Sequence, residues 1–264
     1  QGAAAPMLGQ ALRQRAHVAA STRLCGATAP RLLCSTRDRP PKSLDGLLAR
    51  NEDFRKGYPG WRPGDKQKPG YLWIGCSDSR VTGESILGVK LGELFVHRNI
   101  AKQALGNDNN CMSVVQYAVE NLQVSHVIVC GHYDCGGVRA AMTNADHSSP
   151  LENWLRNVRD VYRLHRTELE AIEDVEARHR RLVELNVIEQ CVNLYKTSVI
   201  QRRRRETFAK RDEYGYTQPR IHAMVYDPHD GTINRLKMNM AETLHEIRGI
   251  YDLFLEDDIE YKKR

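Results

Sequence analysis

Two short apolar segments, 71–75 and 126–130, each run into side chains that can do metal chemistry. The residues concerned are Cys76, Asp78, Arg80, His132 and Cys135. Neither segment alternates polar and apolar residues, which is typical of parallel strands that are buried on both faces. Because ligands of open parallel sheets bind beyond the carboxyl ends of the strands, we expect these side chains to converge there.

The donor set of Cys76, His132 and Cys135 (two thiolates and one imidazole) suits zinc. Three protein ligands leave a fourth position open, which is typical of a catalytic zinc site rather than a structural one. Taken singly, a cysteine at a strand end is more often a small buried apolar residue, and an isolated His-x-x-Cys is weak evidence for a metal. The neighbouring Asp78 and Arg80 favour the site. Three further cysteines are expected in the core: Cys111, Cys130 and Cys191.

Strand and helix patterns alternate along the chain, which predicts parallel β-α-β units. Strands are expected at 71–75, 94–97 and 126–130, and helices at 44–54, 112–124, 136–142, 151–165, 182–200 and 241–255. Segments 221–226 and 232–237 flank a turn sequence and are expected to form an antiparallel hairpin. The predicted fold is α/β, with a mostly parallel central sheet flanked by helices, an antiparallel edge hairpin and a helical N-terminal arm.

Charge is distributed unevenly over the 264 residues, whose formal net charge is +6. Residues 1–37 contain five arginines and no Asp or Glu, so the remainder is nearly neutral. This composition predicts an organellar transit peptide or a disordered tail at 1–37, followed by a single domain at 38–264. A mitochondrial location is favoured over a chloroplast or cytoplasmic one. The run Arg202–Arg205 is interpreted as a solvated loop, so no nucleic-acid partner is expected, and apolar segments too short for a bilayer exclude a membrane-spanning protein.

The pattern C-x-D-x-R at 76–80 and H-x-x-C-G-G at 132–137 resembles the signature of the β-class carbonic anhydrases. The similarity is strong from Gln67 to Met142 and looser toward the carboxyl end. It implies one zinc ion per chain, bound by Cys76, His132 and Cys135, and a catalytic dyad of Asp78 and Arg80. The implied reaction is the reversible hydration of CO2 to bicarbonate and a proton, through attack of a zinc-bound hydroxide on CO2.

The same resemblance implies a substrate pocket and a homodimer or tetramer with the active site at the subunit interface. The pocket residues are Gln67, Phe95, Ile100, Tyr117 and Gly136. Without the family, the aromatic residues among them would simply be interpreted as core.

Trp73, Arg98 and Tyr226 resemble a mainly bacterial, bicarbonate-inhibited (type II) subgroup of the family. The resemblance implies that bicarbonate also binds these three residues, that the Asp78–Arg80 pair then breaks, and that activity falls steeply below about pH 8 as Asp78 reaches the zinc. The plain alternative is that the two aromatic residues pack in the core and that Arg98 pairs with a carboxylate such as that of Glu93.

Two other functions remain open at this point. The first is a related hydrolase of CS2 or carbonyl sulfide, which would keep the zinc site and change the substrate. The second is a catalytically silent zinc-binding subunit of a larger assembly. Intact Asp78, Arg80 and Gln67 argue against a silent subunit, because a purely structural zinc site does not need them.

Overall fold

One five-stranded sheet organises the computed structural model, which describes residues 44–57 and 66–255. The strands are β1 (Tyr71–Cys76), β2 (Leu94–Asn99), β3 (His126–His132), β4 (Arg220–Tyr226) and β5 (Ile233–Arg235). Their order is β2-β1-β3-β4-β5, and every neighbouring pair is parallel except β4 and β5, which are antiparallel. The predicted mostly parallel sheet with an antiparallel edge is confirmed. The predicted tail at 1–37 lies outside the described residues.

The central strands β1 and β3 are buried on both faces, as their unbroken apolar sequences predict. On one face, Leu72 and Ile74 of β1 join the main apolar core. On the other face, Trp73 packs with Ile128 and Cys130 of β3 in a smaller apolar cluster. The three cysteines that were expected in the core, at positions 111, 130 and 191, are all buried.

Ten α-helices surround this sheet in the described part of the chain. They are α1 (Leu44–Gly57), α2 (Gly83–Leu87), α3 (Asn109–Gln116), α4 (Gly136–Ala141), α5 (Leu151–Leu164), α6 (Arg166–Glu170), α7 (Val175–Tyr195), α8 (Ser198–Ala209), α9 (Arg211–Tyr214) and α10 (Met240–Ile247). A 3₁₀ turn spans Ile100–Lys102, and a π turn extends α3 over Tyr117–Asn121. The long helix α7 packs against β3 and β4 and covers one face of the sheet.

Three local predictions are wrong. The helix expected over 182–200 is two helices, because Thr197 adopts an extended conformation and is the N-cap residue of α8. The run Arg202–Arg205 lies in α8 rather than in a loop, and the Arg203 guanidinium is buried 5.2 Å from the centre of the Tyr214 ring. The last helix ends at Ile247 instead of residue 255. Among the described residues, no helix has the length and apolar character to cross a membrane.

Candidate metal centre

The three predicted metal ligands meet at the carboxyl ends of two adjacent parallel strands. Cys76 is the last residue of β1 and His132 is the last residue of β3. After β3 the backbone turns through Asp134, whose φ is +57°, and Cys135 then caps the start of α4. All three residues are buried, and their ligand atoms lie within 4.8 Å of one another. The strand-end convergence expected from the sequence is therefore present.

The geometry of this triad fits a tetrahedral zinc ion. The Sγ atoms of Cys76 and Cys135 are 3.9 Å apart, and two sulfurs bound at about 2.3 Å to a tetrahedral zinc lie about 3.8 Å apart. The Nδ1 atom of His132 lies 2.8 Å from the backbone oxygen of Tyr133 and donates to it, which leaves a lone pair on Nε2. That Nε2 atom is buried and has no hydrogen-bond partner among the described residues, as expected of a metal ligand.

The pKa values of the two thiols are shifted in opposite directions, because a hydrogen bond joins the two sulfurs. The pKa of Cys135 is lowered, chiefly by the hydrogen bond from Cys76, against burial, with further help from the charge of Lys102 and from backbone N–H groups at the start of α4. The pKa of Cys76 is raised by the same hydrogen bond and by burial. Cys135 is therefore the first of the two to become a thiolate, and a metal cation would favour deprotonation of both.

Asp78 and Arg80 form a bidentate ion pair beside the triad. The Nε and Nη2 atoms of Arg80 donate to Oδ1 and Oδ2 of Asp78 at 3.0 and 2.8 Å, and the Arg80 backbone N–H donates to Oδ1 at 2.9 Å. These bonds lower the pKa of Asp78 to about 2, although burial opposes the shift. Oδ2 lies 3.9 Å from Nε2 of His132. An ionised carboxylate thus stands next to the triad and is held by Arg80.

Arg98 ties β2 to the backbone of this site. Its Nε donates to the carbonyl oxygen of Cys76 at 2.7 Å, and its Nη2 donates to the carbonyl oxygen of Asp78. The alternative pairing of Arg98 with Glu93 is not formed, since the Glu93 carboxylate accepts from the backbone N–H of Lys90. Arg98 therefore fixes the segment that carries Cys76, a predicted metal ligand, and Asp78.

Trp73 and Tyr226 lie in the same apolar cluster on one face of the sheet. Trp73 is fully buried, and its Nε1 atom has no hydrogen-bond partner among the described residues. A side chain at Gly75 would place its Cβ 2.3 Å from that nitrogen, so the glycine makes room for the indole. Both aromatic residues therefore pack in an apolar cluster, as the plain alternative predicted. The Trp73 N–H is nevertheless a buried donor without an acceptor among the described residues.

The predicted pocket residues are only partly assembled within one chain. The rings of Phe95 and Tyr117 stack with centroids 5.7 Å apart, and Tyr117 is 46% exposed. Ile100 is 41% exposed and abuts the start of α4, because a Cβ at Gly137 would lie 2.8 Å from its Cγ2. Gly136 begins α4 and is exposed. Gln67 lies exposed in the segment that leads into β1.

Lys102 is a residue of the site that sequence reasoning missed. It is fully buried, its Nζ has no hydrogen-bond partner within the described part of the chain, and its φ is +50°. Gly131 provides the space, since a Cβ there would lie 3.1 Å from Nζ and 2.6 Å from Cγ2 of Val187. The charge of Lys102 lowers the pKa of Cys135. A lysine is ordinarily exposed, so no pattern in the sequence indicated this position.

Comparisons with known proteins agree with the site. The family model described as carbonic anhydrase matches residues 71–233. A carbonic anhydrase of Emericella nidulans is 49% identical over 187 residues, covering 71% of this chain and 78% of the relative. The mitochondrial beta carbonic anhydrase 6 of Arabidopsis thaliana is 40% identical over 98 residues, 34% of each chain. A solved tetrameric β-carbonic anhydrase of Sordaria macrospora superposes with a TM-score of 0.63 at 34% identity, over 74% of this chain and 94% of that one. The chain belongs to the β-carbonic anhydrase family.

Proposed function

We propose that the protein catalyses the reversible hydration of CO2 to bicarbonate, with one zinc ion bound by Cys76, His132 and Cys135. The observation that carries the proposal is the buried triad, in which the His132 Nε2 atom lacks any hydrogen-bond partner among the described residues. The relatives are named carbonic anhydrases, which supports CO2 hydration. Their names do not favour the two alternatives, a hydrolase of CS2 or carbonyl sulfide and a silent subunit.

Zinc, when bound, lowers the pKa of water and so supplies the nucleophile. The chain's own residues orient that nucleophile and exclude bulk water. Asp78 is ionised at neutral pH and accepts a hydrogen bond from the attacking group, which fixes the direction of its lone pair. Arg80 prevents the carboxylate from turning toward the ligands, because both of its oxygens are already engaged.

The remaining pocket residues bind the substrate. Phe95, Ile100 and Tyr117 form the apolar wall that holds CO2, and the backbone N–H of Gly136 donates to a substrate oxygen. The Gln67 amide completes the pocket as a second donor. Since Gln67, Ile100 and Tyr117 are exposed in one chain, we propose that a second subunit closes the pocket.

A homodimer or tetramer also follows from α1. Leu44, Leu47 and Leu48 are 70, 52 and 58% exposed on this helix, which has no buried residue. Apolar side chains grouped in this way favour burial against another subunit, and the Sordaria macrospora relative is described as tetrameric. Light scattering of the purified chain measures the mass, and a monomer at all concentrations contradicts this part of the proposal.

Stopped-flow hydration assays test the activity. The full chain and a Cys135→Ser variant are compared at equal concentration, with CO2, CS2 and carbonyl sulfide as substrates. We expect rapid CO2 hydration by the wild type and its loss in the variant. Hydrolysis of CS2 or carbonyl sulfide without CO2 hydration, or no turnover at all, contradicts the proposal.

We further propose that Trp73, Arg98 and Tyr226 bind an inhibitory bicarbonate ion. The support is chemical: Trp73 offers a buried donor that has no partner among the described residues, and the Arg98 side chain donates to the backbone carbonyl oxygen of Asp78. An anion that draws the Arg98 guanidinium away from the carbonyl oxygens of Cys76 and Asp78 would release their segment. Asp78 would then separate from Arg80, and activity would fall.

The inhibitory site is tested by measuring CO2 hydration from pH 6.5 to 9 with and without added bicarbonate. We expect a steep rise in rate with pH and inhibition by bicarbonate that Trp73→Phe weakens. Because this variant keeps the ring and removes the N–H, it isolates the donor. A shallow profile with a single pKa and no bicarbonate inhibition contradicts the proposal.

We propose a mitochondrial location from the composition of residues 1–37 and from the relative in Arabidopsis thaliana that is named mitochondrial. Residues 1–37 fused to a fluorescent protein should direct it to mitochondria, and replacement of their five arginines by glutamine should abolish import. Delivery to chloroplasts, or a diffuse cytoplasmic signal from the unaltered fusion, contradicts this location.

A further inference from the structure

A concave, arginine-rich cavity lies at the amino-terminal end of the sheet, opposite the metal centre. Its volume is about 460 Å³, within the usual range for small-molecule sites. Arg220 begins β4 and pairs in register with His126, which begins β3. The metal ligand His132 stands at the other end of β3, so the cavity is separate from the candidate active site.

Four arginines line this cavity: Arg204, Arg211, Arg220 and Arg235. They come from α8, α9, β4 and β5, four elements that meet at this end of the fold. Among the described residues, no carboxylate lies within ion-pair distance of the last three, even though Asp212 contributes to the wall. Within the described part of the chain, Arg211, Arg220 and Arg235 therefore give the cavity a concentration of positive charge without a carboxylate partner.

Aromatic rings hold three of the guanidinium groups in place. Arg220 lies 4.1 Å from the centre of the Tyr216 ring, and Arg211 lies 4.9 Å from that of Phe208. Arg204 lies 5.4 Å from the ring centre of Tyr195. A guanidinium stacked on a ring still has N–H groups along its edge, and it loses less conformational entropy when an anion binds.

His222 adds a polar atom in the wall of the cavity. Its Nε2 lies 3.0 Å from Nδ1 of His126, whose Nε2 lies 3.1 Å from the hydroxyl of Tyr216. If the Tyr216 hydroxyl donates into this chain, each ring donates to the next and the chain ends in an Nδ1–H on His222. That Nδ1 is buried and has no hydrogen-bond partner among the described residues. A residue that lines the cavity therefore carries a donor without an acceptor among the described residues.

We propose that this cavity binds a small phosphorylated compound with at least two negative charges. Guanidinium forks match the paired oxygens of a phosphoryl group, and cations that converge from separate elements favour a multiply charged anion over a monoanion. The volume leaves space for an organic part beyond one phosphate. The site is independent of the proposed CO2 hydration.

Calorimetric titration of the zinc-loaded full chain with inorganic pyrophosphate, at constant ionic strength, tests the proposal. We expect saturable binding at one site per chain, and affinity at least about tenfold weaker in Arg211→Gln and in Arg235→Gln. Arg156→Gln, which alters an exposed arginine of α5 outside the cavity, is the matched control and should bind as the wild type does. Thermal melting verifies that each variant is folded.

Three results would overturn the proposal. One is binding that survives in both cavity variants and is lost in Arg98→Gln, since the anion would then occupy the face near the metal centre. Another is tighter binding of citrate than of pyrophosphate. The third concerns residues 256–264, which contain four carboxylates. If pyrophosphate binds only after these residues are deleted, the occupant of the cavity is the chain's own carboxyl end.

Discussion

Arg98 donates from Nε to the backbone carbonyl oxygen of Cys76 at 2.7 Å, so a β2 side chain holds the end of β1, where this proposed metal ligand is positioned. A second bond from the same guanidinium reaches the carbonyl oxygen of Asp78. Cys76, a proposed zinc ligand, and Asp78, the proposed catalytic carboxylate, therefore share one support. The geometry of the candidate metal centre and that of the Asp78–Arg80 pair are coupled through the backbone between Cys76 and Asp78.

Loss of a triad ligand should remove the metal before it affects the fold. In Cys135→Ser we expect zinc content to fall well below one ion per chain, because a serine hydroxyl is a far weaker zinc ligand than a thiolate. Metal analysis after dialysis against a chelator measures this. Cys111→Ala, which also alters a buried cysteine, should keep its zinc, and equal zinc loss in both variants would contradict the assignment.

Replacement of Arg80 by lysine should separate the role of charge from the role of geometry. Lysine retains the positive charge but cannot donate to both oxygens of Asp78 in a fork. We expect kcat/KM for CO2 to fall by about 10²-fold, since the carboxylate is no longer held in one orientation. Zinc content should be unchanged. Full activity in Arg80→Lys would show that orientation of Asp78 by a bidentate pair is unnecessary.

The close fit at Gly131 should make it intolerant of any side chain. A methyl group there would lie 2.6 Å from Val187 Cγ2 and 3.1 Å from Lys102 Nζ. We expect Gly131→Ala to lower the free energy of unfolding by about 1–3 kcal/mol, as overpacked cores do. Urea denaturation measures the change. Gly106→Ala is the control, because nothing lies within 4 Å of the added carbon, and a similar loss in both would contradict the packing argument.

Acid should destabilise the amino-terminal end of the sheet through His222. Burial, with the charges of His126, Arg235 and Arg220, lowers the pKa of His222 to about 4 from an ordinary 6.5. The folded state thus favours the neutral imidazole. This contribution to stability is complete above pH 6.5 and is lost as the pH falls from there through 4.

Melting temperatures from pH 7.5 to 4 test this dependence. The wild type should lose more stability than His222→Gln over that range, because glutamine cannot be protonated. His245→Gln, which alters an exposed histidine of α10, should follow the wild type. Parallel curves for wild type and His222→Gln would contradict the argument.

Much of the fold follows from periodicity. Unbroken apolar runs gave β1 and β3 to within two residues, because strands buried on both faces have little tolerance for polar side chains. Helix ends were less predictable. The break between α7 and α8 depends on the backbone of Thr197, and nothing in the apolar spacing through Ile200 reveals it.

The proximity of Cys76, His132 and Cys135, with Asp78 and Arg80 beside them, could be predicted because the expected chemistry requires particular residue types at fixed spacing. Lys102 could not, since its burial depends on Gly131 and Val187, which are distant in sequence. The arginine cavity was missed for the same reason. Arg204, Arg220 and Arg235 belong to three different elements, and only the folded sheet brings them to one wall.

The most direct test of the central claim is CO2 hydration by wild type and Asp78→Asn, with zinc measured on the same samples. Asparagine keeps the size of the side chain but removes its negative charge and one acceptor oxygen, so it is a weaker acceptor and loses the bidentate pair with Arg80. We predict about one zinc ion per chain in both proteins and a rate at least about 10²-fold lower in the variant. Asp160→Asn, on the exposed surface of α5, should match the wild type. Equal rates in Asp78→Asn and wild type, or no hydration by a zinc-loaded wild type, would contradict the account.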